Sequence, residues 1–493
     1  MIRQRPIGWL PTPAGLFGLT LFGILIAARG DKLLIDGDTY THIRCGEWML
    51  EHRALLKADI FSHTIAGAPW VAHEWGSQIL MAWLHALGGL PAVAVFFAAI
   101  IALSMTVVYR LLERLDFAPG PALAMMAAFL LLFSPTMVAR PHVFTWLFGA
   151  ITIDLLQRRG RMRLWLPLLT LVWANLHGGF LFGLALQGID LAGRILDRLP
   201  QGNRHQLLPE VRGEAAIVAA SAAAGLCTPF GIEPFLVYAA VSSQEISRFN
   251  PEWSSPNFQD FWPFRLYLAV LLLLLLANGR RPGWSNLILL GLFLNAALAH
   301  RRHVSLAAIA LLPLWVEQFH ARGWFRTPAT AGEKEVPCSA WSGPLLLGIA
   351  ATTLILVLAQ RPASWQPGLE RQFPVSSRFP NQVMNWLEQN PQPGKVFNEY
   401  TWGAALIYRT NGGVPVFIDG FADKYGSAIY RDYYRIAHLE KEADALLDSY
   451  RIDWVLFPSD APLVRYLLLT SRWELAYRDG QASVLTRKAP IGG

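Results

Sequence analysis

The sequence predicts a polytopic α-helical membrane protein with a soluble α/β domain at its C-terminal end. Of the 493 residues, 53% are hydrophobic and only 16% are charged, whereas a soluble domain usually has about a quarter charged residues. The apolar residues gather in runs of the kind that cross a bilayer, which takes about 20 residues. After residue 359 these runs give way to short strand-like and helix-like segments. We therefore expect a transmembrane domain over residues 1–359 and an extracytoplasmic domain over residues 360–493.

About eleven apolar runs are predicted to span the membrane, and the basic residues between them indicate the orientation. Arg3 and Arg5 precede the first run, and Arg158, Arg161 and Arg163 follow the fourth. Because Lys and Arg are enriched in cytoplasmic connections, the N-terminus is predicted to be cytoplasmic and the C-terminal domain extracytoplasmic. The predicted spans are residues 13–28, 91–108, 121–138, 143–156, 164–176, 180–196, 215–227, 264–277, 284–298, 304–316 and 345–358.

The net charge of +7 comes mostly from those same connections. Short arginine-rich loops between apolar runs are explained by membrane topology, so the positive charge predicts no nucleic-acid partner. The sequence also has neither a dinucleotide-binding GxGxxG motif nor a P-loop. Nucleotide binding is therefore not predicted.

The C-terminal part of the chain alternates between strand and helix patterns. Residues 395–399, 415–419 and 453–457 read as short buried strands, and residues 402–408 and 439–450 have helical patterns between them. This order favours a small α/β domain with a largely parallel sheet. Residues 482–486 are predicted to add an antiparallel edge strand.

A polar loop over residues 29–75 follows the first predicted span and is the strongest candidate for a functional site. Acids and histidines are dense in it, directly beside the bilayer, which suggests a site rather than a connector. Residues 39–52 are predicted to form a helix lying on the membrane, with Asp38 as its N-cap. The ionisable residues that stand out are Asp36, Asp38, His42, Glu47, Asp59, His63, His73 and Glu74.

Further polar residues lie at the outer ends of later spans, on the same side of the membrane as this loop. Arginine offers a planar fork for phosphate oxygens, and two close carboxylates suit a general base or a divalent cation. These groups therefore predict a phosphate-linked lipid as the substrate. The candidates for binding its phosphate are His42, His73, Arg140, His142, His177, Arg301, Arg302 and His303, and Glu252 lies in a neighbouring external loop.

The candidate catalytic residues are Asp36, Asp38 and Glu74, and Asp36 with Asp38 is also the candidate site for Mg²⁺ or Mn²⁺. Each candidate also has a simpler explanation. An aspartate before a helix can act only as a cap, and a glutamate at a helix start is favoured by the helix dipole. Arg140 can extend toward an interface, His177 can satisfy a helix end, and residues 300–303 would be cytoplasmic if their span is misplaced.

The plan of the chain resembles the GT-C superfamily of integral-membrane glycosyltransferases. The features that carry the resemblance are the DxD-like Asp36-Gly37-Asp38 in the first external loop, the many spans and the extracytoplasmic C-terminal domain. The stretch that ends in His73-Glu74-Trp75, together with residues 416–420 and 450–454, is similar to an uncharacterised bacterial subgroup of these proteins.

This resemblance implies an inverting transfer on the outer side of the bacterial cytoplasmic membrane. The donor would be a polyprenyl-phosphate or polyprenyl-pyrophosphate sugar that lies in the lipid bilayer. The acceptor would be a glycan, a lipid or a protein. Asp36 or Asp38 would activate the acceptor or hold the metal. No second catalytic motif of the superfamily is matched in this sequence.

Two other functions remain open from the sequence. A transporter or flippase of a lipid-linked saccharide would be expected to carry charges at mid-membrane depth and an internal repeat, whereas the charges here lie at the ends of spans. A non-catalytic cell-envelope assembly protein would bind a polymer through its C-terminal domain, where Asp419, Asp423 and Lys424 would matter more than the first loop.

Overall fold

The structure is a computed structural model that describes residues 12–158, 160–199, 204–237, 252–279, 281–326 and 379–488. Helices make up most of the chain before residue 322. They are α1 (Pro13–Leu33), α2 (Gly37–His52), α3 (Trp75–Arg114), α4 (Pro119–Phe133), α5 (Val143–Gln157), α6 (Leu166–Leu176), α7 (Phe180–Arg198), α8 (Arg204–Leu226), α9 (Trp262–Asn278), α10 (Trp284–Ala299), α11 (Val304–Ala310) and α12 (Leu312–Ala321).

The predicted spans that fall within the described residues are helical, and the span predicted at 345–358 lies outside them. The second predicted span and the amphipathic segment before it form one element, the 40-residue α3. Gly88 and Gly89 break its helical geometry, with Gly89 at a φ of 65°, and Pro91 follows. Glycine adopts a positive φ without steric cost, so this pair provides the bend between the two halves of α3.

The lengths of these helices support a membrane protein but do not confirm about eleven spans. Among the described residues, α3 and the stretch Pro119–Thr136 are long and apolar enough to cross a bilayer. Arg301–Ala310 and Leu312–Ala321 would together form one more span, bent by 51°. The shorter apolar helices are Pro13–Ala27, Val143–Gln157, Trp262–Asn278 and Trp284–Ala299.

The C-terminal part forms a small domain around a four-stranded sheet with the order β1-β2-β4-β3. β1 pairs with β2 in parallel, whereas β4 is antiparallel to both β2 and β3. The prediction of a largely parallel sheet is therefore wrong, and residues 482–486 lie inside the sheet instead of at its edge. The elements are α13 (Asn381–Gln389), β1 (Lys395–Asn398), α14 (Gly403–Arg409), α15 (Ala422–Ala437), α16 (Ala443–Ser449), β2 (Ile452–Pro458), α17 (Pro462–Leu469), β3 (Trp473–Arg478) and β4 (Ala482–Arg487).

Residues 415–419, predicted as a strand, do not join this sheet. The side-chain amide of Asn398 takes the place of a neighbouring strand: its Oδ1 accepts from the Phe417 N–H at 2.8 Å, and its Nδ2 donates to the Ile418 carbonyl at 2.8 Å. Val416 forms an isolated parallel bridge with Ser62 of the first loop. Backbone groups of a buried segment need partners, and here one asparagine and the first loop supply them.

The first loop and the C-terminal domain are packed against each other. The N–H of His63 donates to the Val416 carbonyl at 3.0 Å, and Thr64 Oγ1 donates to the Phe417 carbonyl at 2.7 Å. Arg44 on α2 donates to the Tyr408 carbonyl at 2.8 Å. Helix α2 is therefore packed between α3 and α14, and its place on the membrane surface stays a prediction.

Candidate functional site

The start of α2 places two carboxylates side by side. Asp36, not Asp38 as predicted, is the N-cap: its Oδ1 accepts from the Asp38 N–H at 2.9 Å. A cap side chain satisfies a helix N–H that would otherwise lack an intrahelical partner. Asp38 therefore lies in the first turn, where its side chain is free to point toward the rest of the site.

Arg140 gathers three carboxylates from separate stretches of the chain. Its Nη1 lies 3.2 Å from Asp36 Oδ2 and 3.0 Å from Glu252 Oε1, and its Nη2 lies 2.6 Å from Asp38 Oδ2. The backbone before it is tied to the start of α2, because the Ala139 carbonyl accepts from Thr39 Oγ1 at 2.9 Å. Asp36, Asp38 and Arg140, three of the predicted site residues, thus form one cluster.

Burial and neighbouring charge raise the pKa of Asp38 well above its ordinary value of 3.8. Burial is the largest cause, and the carboxylates of Asp36, Glu252 and Asp419 add to it against the opposing effect of Arg140. Three acids around one guanidinium leave an excess of negative charge, and a shared site of this kind favours retention of a proton on one carboxylate. Asp38 is the acid best placed to hold it.

Glu252 and Arg140 remain charged in the same cluster. Burial would raise the pKa of Glu252, but the Arg140 and Arg302 guanidinium groups outweigh it and lower that pKa to about 2. Burial likewise opposes the charge on Arg140, and the carboxylates of Asp36 and Asp38 together with Glu252 raise its pKa. The cluster therefore combines a fixed cation, a fixed anion and an acid able to change its protonation.

A fourth carboxylate, Glu74, lies at the start of α3 among three histidines. Its Oε1 is 3.2 Å from His177 Nε2, its Oε2 is 3.4 Å from His42 Nε2, and His73 Nε2 is 4.0 Å from Oε1. The Nδ1 of His73 is 3.2 Å from the Val71 carbonyl. Glu74, His42, His73 and His177 thus form a second cluster.

The hydrogen bonds around His177 and His42 fix which nitrogen of each ring carries the proton. The Gly179 N–H donates to His177 Nδ1 at 2.9 Å, so the proton is on Nε2, the nitrogen that lies 3.2 Å from Glu74. At His42 the Gln78 amide lies 3.4 Å from Nδ1, which assigns Nε2–H toward Glu74 in the same way. Burial lowers the pKa of both histidines, with Arg140 among the further causes. Two neutral imidazoles therefore turn an Nε2–H group toward one carboxylate.

The other predicted phosphate-binding residues lie at different distances from these clusters. His142 holds the turn before α5, with Nε2 2.8 Å from the Thr136 carbonyl, and burial followed by Arg140 lowers its pKa to about 3. The Arg302 guanidinium lies 4.4 Å from the Trp253 ring centre and is close enough to Glu252 to lower its pKa. His303 contacts the edge of the same Trp253 ring.

Arg301 lies at a cavity whose lining includes no residue of either cluster. It is exposed, its guanidinium lies 5.7 Å from the Phe261 ring centre, and it lines a polar cavity of about 320 Å³ with Asn257 and Asp260. A larger apolar cavity of about 520 Å³ between α4, α9 and α12 adjoins it. The two cavities share the lining residues Leu131, Trp262 and Pro263.

Sequence reasoning did not connect Tyr400 and Gly420 of the C-terminal domain with this site. A Cβ on Gly420 would lie 1.9 Å from Asp38 Oδ1, so the glycine backbone is pressed against that carboxylate. The Tyr400 hydroxyl donates to the Gly420 carbonyl at 3.3 Å, and burial, then Asp38, raises its pKa. The run 416–420 was noticed in the sequence, but no pattern there indicates contact with residue 38.

The donor atoms at Asp36 and Asp38 suit a hard cation by type, but their arrangement does not fit one. Both carboxylates are directed at Arg140. No group of three His, Cys, Asp or Glu side chains able to hold a metal is found in the part of the chain that the structure describes. The divalent cation stays a prediction.

Comparison with known proteins gives little beyond this geometry. No protein-family model matches the sequence, and no curated protein matches it. Among solved structures, the chain is similar to an oligosaccharyltransferase of Archaeoglobus fulgidus, crystallised in the apo form. The two are 13% identical with a TM-score of 0.46, and the match covers 90% of this chain and 69% of that one. A likeness this low leaves the residues of the two clusters as the basis for any functional assignment.

Proposed function

We propose that this protein is a membrane glycosyltransferase that moves a sugar from a polyprenyl-phosphate or polyprenyl-pyrophosphate donor to an extracytoplasmic glycan, lipid or protein. The observation that carries the proposal is the convergence of Asp36, Asp38 and Glu252 on Arg140 beside apolar helices. Ionisable groups in such surroundings are costly, so they tend to mark functional sites. The N-terminus would be cytoplasmic and the site would face the outer side of the membrane.

The donor lipid would be bound by charge and by apolar contact. Arg140 and Arg302 supply guanidinium groups for the phosphate oxygens, which arginine binds with two parallel hydrogen bonds. The apolar cavity between α4, α9 and α12 has the lining that a hydrocarbon chain requires. Arg301 lies at the polar cavity that adjoins it. This arrangement would hold a lipid with an anionic head group at the end of its chain.

Asp38 would act as the general base of the transfer. Donor phosphate would draw Arg140 away from Asp38, which leaves the carboxylate ready to accept a proton. Asp38 takes the proton of an acceptor hydroxyl, and the acceptor oxygen bonds to the anomeric carbon from the face opposite the phosphate. The bond between that carbon and the phosphate oxygen breaks, and its electron pair leaves with the polyprenyl phosphate. A pKa raised toward the working pH suits a general base.

Glu74 would orient the sugar or the acceptor beside that base. Its carboxylate lies next to the Nε2 atoms of His42 and His177, and a carboxylate oxygen can accept from more than one donor. Two neutral imidazoles fix the carboxylate without adding charge that would compete for the phosphate. Glu74 is therefore the second acid whose loss we expect to impair transfer.

The test is transfer by the purified protein in lipid vesicles, with a panel of radiolabelled polyprenyl-linked sugars and membrane extract as the acceptor source. Asp38→Asn should abolish transfer and Asp36→Asn should lower it strongly. Asp460→Asn, an exposed aspartate of the C-terminal domain, is the matched control and should be fully active. Full activity in both single variants and in the double variant would reject the role of these acids. A chelator, followed by Mn²⁺ or Mg²⁺, tests the predicted cation in the same assay.

The two alternatives make different predictions in the same vesicles. A flippase would move the labelled lipid across the bilayer without forming a new glycosidic product, and Asp38→Asn would not alter the products. An assembly protein would bind polymer through Asp419, Asp423 and Lys424. Asp419 and Lys424 are buried, which favours the glycosyltransferase proposal over polymer binding at these two residues.

A further inference from the structure

A buried ion cluster joins the first loop to the C-terminal domain close to the proposed base. Lys424 Nζ lies 2.7 Å from Asp59 Oδ1 and 2.8 Å from Asp419 Oδ2, and each of the three side chains is at most 1% exposed. The Tyr425 hydroxyl donates to Asp419 at 3.0 Å. Buried ion pairs are costly to form, and they serve best to fix one arrangement of the chain. This cluster fixes the C-terminal domain on residues 53–75.

The residues directly after Asp419 contact both clusters of the site. Gly420 is pressed against Asp38, as described above. The Phe421 ring centre lies 4.7 Å from that of His42 and 5.6 Å from that of Trp70. Asp419 itself shapes the turn, because its Oδ1 accepts from the Phe421 N–H at 2.8 Å. One short segment therefore spans from the ion cluster to the base and to a partner of Glu74.

We propose that residues 419–421 are a positioning wall of the site, and that Lys424, bound between Asp59 and Asp419, holds this wall against Asp38 and His42. The inference rests on the proposed function, because the positioning role of these residues is defined by glycosyl transfer. The wall leaves no room for water between Gly420 and Asp38 Oδ1, and Phe421 covers His42. It thereby fixes the direction in which the base meets the acceptor.

Glycine at position 420 is required by this contact and not by the backbone. Its φ lies outside the left-handed region, so alanine there is free of backbone strain, and the three atoms nearest to the added methyl group all belong to Asp38. Gly420→Ala is therefore a specific probe of the wall. Gly480→Ala is the matched control in the same domain, because a Cβ there meets no atom within 4 Å.

The first experiment needs no glycosyl transfer. Thermal unfolding of the purified full-length protein is measured for wild type, Gly420→Ala, Asp38→Ala and the double variant. Gly420→Ala should lower the unfolding midpoint in the wild type and have little further effect when Asp38 is alanine. An equal loss in both backgrounds would overturn the contact, whether or not the protein is a glycosyltransferase. Gly480→Ala should leave the unfolding midpoint unchanged both in the wild type and in the Asp38→Ala variant.

The second experiment tests positioning. In the vesicle assay, Gly420→Ala should lower kcat on the order of a hundredfold, the effect of a displacement of about 1 Å at a reacting group, with donor KM unchanged. The pH at which kcat is half-maximal should move with it, which a loss of folded protein would not cause. Lys424→Met should act likewise and Lys424→Arg should restore part of the rate, whereas Lys441→Met, an exposed lysine, should not alter it. If Gly420→Ala has the kcat and the pH profile of the wild type, the proposal is overturned. This result is decisive even if Lys424→Met does not fold.

Discussion

The guanidinium of Arg140 lies 2.6 Å from the carboxylate of Asp38 and joins the turn before α5 to the first turn of α2. The same guanidinium contacts Asp36 and Glu252, so one positive side chain neutralises part of the negative charge of three acidic side chains. Removal of one partner of a buried pair leaves the other charge uncompensated. The stability of this region therefore depends on Arg140 whatever the reaction is.

Arg140→Gln should lower the free energy of unfolding by about 3–5 kcal/mol, the usual result of breaking a buried pair, and should abolish transfer. Arg140→Lys should retain much of the stability but little of the transfer, because lysine lacks the planar fork that binds two phosphate oxygens. Denaturant titration and the vesicle assay measure the two effects. Arg465→Gln, an exposed arginine of the C-terminal domain, serves as the control. Full transfer by Arg140→Lys would contradict a phosphate-binding role.

The rate of transfer should rise with pH through the raised pKa of Asp38, above the ordinary value of 3.8, because a base acts only when it is deprotonated. In Glu252→Gln this rise of the rate should occur at lower pH, since Glu252 is one of the carboxylates that raise the Asp38 pKa. For stability the sign is opposite. A carboxyl with a raised pKa contributes stability below 3.8 and loses it as the pH rises through its folded pKa. If the dependence of kcat on pH is the same in Glu252→Gln as in the wild type, the rise of the rate with pH does not come from the ionisation of Asp38.

The buried neutral histidines should make the protein sensitive to acid. The pKa values of His42 and His177 are lowered by burial, so the unfolded chain binds protons that the folded chain does not. Stability should therefore fall by about 1.4 kcal/mol per pH unit for each histidine as the pH drops below about 6.5. His177→Gln should reduce this slope, and His438→Gln, an exposed control, should not. A slope unaffected by His177→Gln would mean that this ring is protonated in the folded protein.

Part of the site could be predicted from the sequence because topology sets the depth of a residue in the membrane. Asp36 and Asp38 follow the outer end of the first predicted span and Arg140 follows that of the third, and they meet in the structure. Depth does not give direction around a helix, however. Arg301 and Arg302 are adjacent in one 3₁₀ turn, yet Arg302 lowers the pKa of Glu252 whereas Arg301 lines the polar cavity with Asn257 and Asp260.

The C-terminal domain shows a second limit of sequence patterns. An apolar run such as residues 415–419 reads as a strand, but its partners are decided by tertiary contacts. Asn398 and Ser62 provide them here, and nothing in either residue indicates this from the sequence. The same holds for Gly420, because glycine is needed there only through its contact with the Asp38 carboxylate, which is distant in sequence.

The apolar cavity provides a prediction about the donor alone. Ala128→Trp should fill part of the roughly 520 Å³ between α4, α9 and α12 and raise the donor KM, while kcat at saturating donor stays close to wild type. An interaction that acts equally on bound substrate and transition state alters KM and not kcat. Leu276→Trp, on an exposed position of α9, is the control and should leave both constants unchanged. If Ala128→Trp leaves the donor KM at the wild-type value, the lipid chain binds elsewhere, and the apolar cavity has no part in donor recognition.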